Sequence, residues 1–62
     1  MNAVLATMRF IGLTEDGLRD ALKRYTAAIY EGRILEPCES VEDMHILTAI
    51  IRHEITIKEG RI

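Results

Sequence analysis

The sequence has little of what usually holds a small protein together. Of its 62 residues one is cysteine, one is proline and none is tryptophan, and the aromatic residues are one phenylalanine and two tyrosines. The lone Cys38 cannot form an internal disulfide, and with two histidines it does not complete a four-ligand Cys/His zinc site within one chain. Small chains without such supports commonly depend on association with another chain. We therefore expect this protein to form oligomers.

An excess of charge of one sign is also lacking. Eight basic residues stand against ten acidic ones, for a net charge of −2, which favours neither a nucleic-acid footprint nor an acidic tail. No segment reaches the roughly 20 apolar residues that a membrane span needs. The apolar N-terminal stretch has no basic region before it, and Arg9 interrupts it, unlike an export signal. We expect a cytoplasmic protein with no membrane partner, folded as a single small domain over residues 1–62.

The clearest predicted element is a helix over residues 14–32. Thr14 is a good N-cap, the acidic residues after it favour a helix start, and Gly32 is a typical residue at a helix end. Apolar residues recur at the i, i+4, i+7 and i+11 spacing of an amphipathic helix, and they are Leu18, Leu22, Tyr25 and Ile29.

A second helix is predicted over residues 40–59, where Ser40 and Asp43 form a variant of the capping box. Its apolar side chains fall on two neighbouring stripes. The first comprises Val41, Met44, Leu47, Ile51 and Ile55, and the second comprises Ile46, Ile50 and Ile57. Together they cover more than half the circumference, whereas a helix that packs once needs an apolar arc of only a little over 100°. The pattern predicts a self-association interface that includes Ile46, Ile50, Ile51, Ile55 and Ile57.

These elements predict a mainly α fold: a small helical hairpin, with helices at about 14–32 and 40–59 and a short N-terminal segment, packing as a homodimeric helical bundle. An alternative remains open at two places. Residues 5–11 and 53–58 alternate between apolar and polar side chains, and β-branched residues favour strands. The alternative fold is α+β, with short strands at about 5–11 and 53–58.

Residues able to carry chemistry are few and scattered. The glycines are isolated, so no phosphate-binding loop is present. Cys38 lies between Glu36 and Glu39, whose charges oppose a reactive thiolate. His45 and His53 are eight residues apart, too far along a helix to share a metal ion within one chain. We predict no catalytic residue, no metal site and no cofactor, and hence a protein that is not an enzyme.

The favoured function is a small non-enzymatic protein–protein interaction or regulatory module, of adaptor or inhibitor type, acting as a homo-oligomer. Its predicted partners are itself and another protein, which would meet an acidic patch formed by Glu39, Glu42 and Asp43. The alternative is a small dimeric DNA-binding transcriptional regulator, because a strand followed by two helices is the order of ribbon-helix-helix proteins. Its nucleic-acid contacts would be Arg9, Arg19, Lys23 and Arg24. The acidic net charge makes nucleic acid the less favoured partner.

Overall fold

Three helices make up the protein in the computed structural model, which describes residues 1–60. They are α1 (Ala3–Ile11), α2 (Glu15–Glu31) and α3 (Val41–Lys58). The prediction of a mainly α fold is confirmed. The α+β alternative is wrong, because residues 5–11 lie in α1, residues 53–58 lie in α3, and no strand occurs within residues 1–60.

A side-chain cap explains why the N-terminal segment is helical. The Asn2 side chain accepts hydrogen bonds from the backbone N–H groups two and three residues ahead, at 3.0 and 3.2 Å, which satisfies donors that a helix start leaves open. The alternating pattern had placed Ala6, Met8 and Phe10 on one side of a strand. In the helix Ala6 and Phe10 are buried one turn apart, and Met8 is exposed.

The predicted signals at both ends of α2 act as expected. The Thr14 hydroxyl accepts a hydrogen bond from the N–H of Gly17 at 3.1 Å. At the other end Gly32 adopts a φ of 74°, in the left-handed region that favours glycine. This conformation turns the N–H of Arg33 back to the carbonyl of Ala28 at 2.8 Å and closes the helix.

The start of α3 is fixed by a network that also holds the start of α1. The Ser40 hydroxyl accepts a hydrogen bond from the N–H of Asp43 at 3.2 Å, as the capping box predicts. The Asp43 carboxylate accepts one from the N–H of Glu39 at 2.9 Å. The α-amino group of Met1 lies 3.2 Å from the same carboxylate oxygen, so α1 and α3 begin side by side.

The core forms where α3 packs against both α1 and α2. Its members are buried side chains from every helix and from the α2–α3 connection: Ala6, Phe10, Leu18, Ala21, Tyr25, Ala28, Cys38, Met44, Leu47, Ile51 and Ile55. The rings of Phe10 and Tyr25 meet edge to face, with centroids 6.4 Å apart. The Tyr25 hydroxyl donates to the backbone carbonyl of Glu36, which ties the connection to α2.

Most of the expected core is confirmed, but three residues of the apolar stripes expected to face it are not fully buried. Leu22 and Ile29 pack against the core but are only half-buried. Val41, which the first stripe of α3 includes, is exposed because it is the first residue of the helix, ahead of the turn that packs. Tyr30, the penultimate residue of α2, is 88% exposed.

Candidate interaction surface

The outward side of α1 carries the most concentrated exposed apolar surface of the described residues. Four large side chains of this nine-residue helix are between 51% and 68% exposed. We call this set the α1 outer face, and it consists of Val4, Leu5, Met8 and Ile11. At 100° per residue the four positions fall within an arc of about 120°, opposite the side on which Ala6 and Phe10 are buried. They therefore form one continuous stripe.

The sequence interpretation missed this surface because it left residues 2–11 undecided between helix and strand. The signal was nevertheless present. Once Asn2 is taken as the N-cap, Ala6 and Phe10 occupy one side of the helix, and Val4, Met8 and Ile11 recur on the other at intervals of four and three. A helix with apolar side chains on both sides is one that packs on both sides.

Charges flank the α1 outer face rather than interrupting it. Arg9 is the one charged residue of α1, and it lines a shallow groove of about 160 Å³ together with Asn2, Leu5, Ala6 and Pro37. At the opposite end of the helix the Glu39 side chain is 84% exposed, and its carboxylate lies 3.6 Å from the amino group of Met1. The face thus has a cation near one end and a carboxylate near the other.

The five isoleucines predicted for self-association separate into two groups. Ile51 and Ile55 lie in the monomer's own core, because α3 is covered on that side by the other helices. Ile50 is half-buried against the same core. Ile46 and Ile57 are 47% and 53% exposed. Of the predicted interface, these last two offer the most accessible side-chain surface.

The predicted acidic patch has one member with a structural task. Asp43 is half-buried and caps α3, and the hydrogen bond from the N–H of Glu39, assisted by the ammonium of Met1, lowers the pKa of its carboxyl group. Glu39 and Glu42 are exposed. A basic partner would therefore meet mainly these two side chains.

The residues predicted to contact nucleic acid lie on two different helices, and two of them are paired with carboxylates. They are Arg9, Arg19, Lys23 and Arg24. Arg19 is hydrogen-bonded to Glu15 at 3.0 Å, which raises the pKa of its guanidinium. Arg24 forms an i,i+4 ion pair with Asp20, at 3.3 Å. Arg9 lies on a different helix. The strand expected to present such residues to a DNA groove is a helix instead, because residues 5–11 lie within α1. DNA binding itself stays a prediction.

The residues considered for chemistry lie in different environments, one buried and two exposed. Cys38 is buried, and this burial raises the pKa of its thiol, the opposite of what activates a nucleophilic cysteine. His45 and His53 are exposed on α3. Within residues 1–60 no three histidine, cysteine, aspartate or glutamate side chains are grouped as metal ligands would be.

Comparisons with known proteins gave no match: no protein-family model, no curated protein and no solved structure resembles the chain significantly. None of the helices in the described part of the chain has both the length and the apolarity to cross a membrane. The surface of the protein itself is therefore the guide to its function.

Proposed function

We propose that this protein is a small, non-enzymatic interaction or regulatory module, of adaptor or inhibitor type, that works as a homo-oligomer. One observation carries the proposal: four large apolar side chains of α1 remain exposed after the core is complete. Monomeric soluble proteins rarely expose large continuous apolar patches, and those that they do expose are often binding sites. The α1 outer face is such a patch on a very small protein.

Size supports the same proposal. A chain of about 60 residues buries only about 60% of the surface of its unfolded form, so its own core supplies limited stability. No disulfide supplements that core, since Cys38 is free. Association with a further chain supplies additional burial and raises the apparent stability by mass action. In this role the apolar faces serve self-association, and the exposed Glu42 remains for a basic target.

The test is the mass of the protein in solution, measured by light scattering on a sizing column. Two loading concentrations about tenfold apart reveal a mass-action equilibrium. We expect a mass of at least twice the 7.1 kDa of one chain at the higher concentration. A folded protein that remains at the monomer mass at both concentrations would refute homo-oligomeric function.

A further inference from the structure

We infer that a second copy of the chain packs antiparallel against the α1 outer face, about a two-fold axis, with Arg9 of each copy reaching Glu39 of the other. The inference rests on the proposed function and deepens it, because it names the surface and the occupant. Three observations carry it: the spacing of the apolar side chains, the burial that they offer, and the charges at the two ends of the face.

The spacing suits contact with another helix. Val4, Met8 and Ile11 are separated by four and then three residues, which are the intervals of the a and d positions of a coiled-coil seam. Leu5 widens the seam on one side. The opposite side of α1 is already occupied, since Ala6 and Phe10 are in the protein's own core. A helix from a second copy, which carries the same seam, fits this stripe.

The apolar burial is greatest when both partners present the same face. The four side chains are 51–68% exposed, and removal of apolar surface from water is the dominant favourable contribution to most protein association. Two copies that meet face to face cover eight such side chains, whereas one copy against a polar surface covers only four.

The charges select the antiparallel orientation. Because a helix rises about 1.5 Å per residue, Arg9 lies about 10 Å along α1 from its start, while Glu39 lies beside that start. A parallel pair would set Arg9 against Arg9 and Glu39 against Glu39. In an antiparallel pair centred on the seam, Arg9 of one copy lies about 7 Å along the helix axis from the start of α1 in the other copy, where Glu39 is located. The two extended side chains can bridge that gap.

The experiment compares the wild-type chain with surface variants by light scattering and sedimentation over a range of concentrations. Met8→Glu places a charge at the centre of the seam and should raise the dimer dissociation constant about tenfold or more, as loss of a central contact does. The matched control is Tyr30→Glu, which changes an even more exposed apolar residue on α2. This control should leave the dissociation constant unchanged. Far-UV circular dichroism checks that each variant is folded.

A charge exchange gives an independent test on residues that the fold does not bury. Arg9→Glu alone and Glu39→Arg alone should each weaken the dimer about threefold to fivefold, the usual size of an exposed ion pair. The double variant should return towards the wild-type dissociation constant. Two single losses that simply add in the double variant would overturn the antiparallel arrangement.

The outcomes separate this inference from the proposed function. A wild-type dimer that Met8→Glu leaves intact overturns the α1 interface, while homo-oligomeric function stands. A monomeric wild-type protein overturns both. A monomer that floats with vesicles of phosphatidylcholine and phosphatidylserine, in a manner that Met8→Glu abolishes, overturns the second copy as the occupant and assigns the face to a lipid surface.

Discussion

Two isoleucines of the same helix offer the sharpest check on how α3 is placed. Ile51 is fully buried and Ile46 is about half-exposed, and both lie inside α3, away from its ends. Replacing either with alanine removes the same atoms and makes the same gain in helix propensity, a few tenths of a kcal/mol. The difference between the two variants therefore reports the burial of the side chain.

The expected magnitudes are well separated. Truncation of a fully buried isoleucine costs about 2–5 kcal/mol, because the transfer free energy is lost and a cavity is left. Ile46→Ala should cost roughly 1 kcal/mol or less, since about half of its side chain is already in water. A chain of this length has a total stability of about 3–9 kcal/mol. Ile51→Ala should therefore remove a large part of the stability, or unfold the protein.

The assay is urea unfolding followed by the helical circular dichroism signal, at a concentration below that of self-association, so that loss of a partner does not enter the result. Equal losses in the two variants, within about 0.5 kcal/mol, would contradict this placement of α3. A larger loss for Ile46→Ala than for Ile51→Ala would show that the helix is rotated, with the second stripe turned towards the core.

Three further predictions concern the caps and their charges. Ser40→Ala removes the acceptor for the N–H of Asp43 and should lower the free energy of unfolding by about 1 kcal/mol in urea titrations, whereas a loss near zero would mean that the cap is not formed. Gly17→Ala should raise the melting temperature and increase the free energy of unfolding by about 0.5–1 kcal/mol, because the added methyl group meets the Thr14 hydroxyl at an ordinary 3.4 Å. A lower melting temperature would mean that the start of α2 is packed more tightly than described. The Asp43 carboxyl has a pKa below its ordinary value of 3.8, so it contributes stability above that pH and loses the contribution as the pH falls through the lower folded value. Asp43→Asn should therefore flatten the acid side of the stability–pH curve, and an unchanged curve would contradict the role of this carboxylate.

The second and third helices could be predicted because their signals are local. Thr14, Ser40 and Gly32 act within three or four residues of their own positions, as caps do. The apolar residues of α2 recur with a helical period, so the side that faces the core follows from the sequence alone. The ion pair between Asp20 and Arg24 likewise requires only helical geometry. None of these features depends on what the helix packs against.

The buried polar residues of α3 could not be predicted in this way. Thr48 and Glu54 are both buried, on the side of the helix where the apolar pattern alone would place only aliphatic residues. Thr48 tolerates burial because its hydroxyl donates to the carbonyl of His45, one turn earlier, at 2.8 Å. Whether such a polar residue is buried depends on which helices pack beside it, and the pattern of a single helix does not reveal those contacts.

The two apolar stripes of α3 predicted a partner, but in the structure the chain itself covers much of that apolar surface. Within one chain α3 already packs against two helices, α1 and α2, so much of its apolar circumference is used without a second copy. The helix with too little cover is α1, which has nine residues and buries only Ala6 and Phe10. Isolated helices this short are marginal in water. We therefore propose that a partner covers α1 rather than the isoleucine-rich α3, because the outer face of α1 would gain the most from being covered.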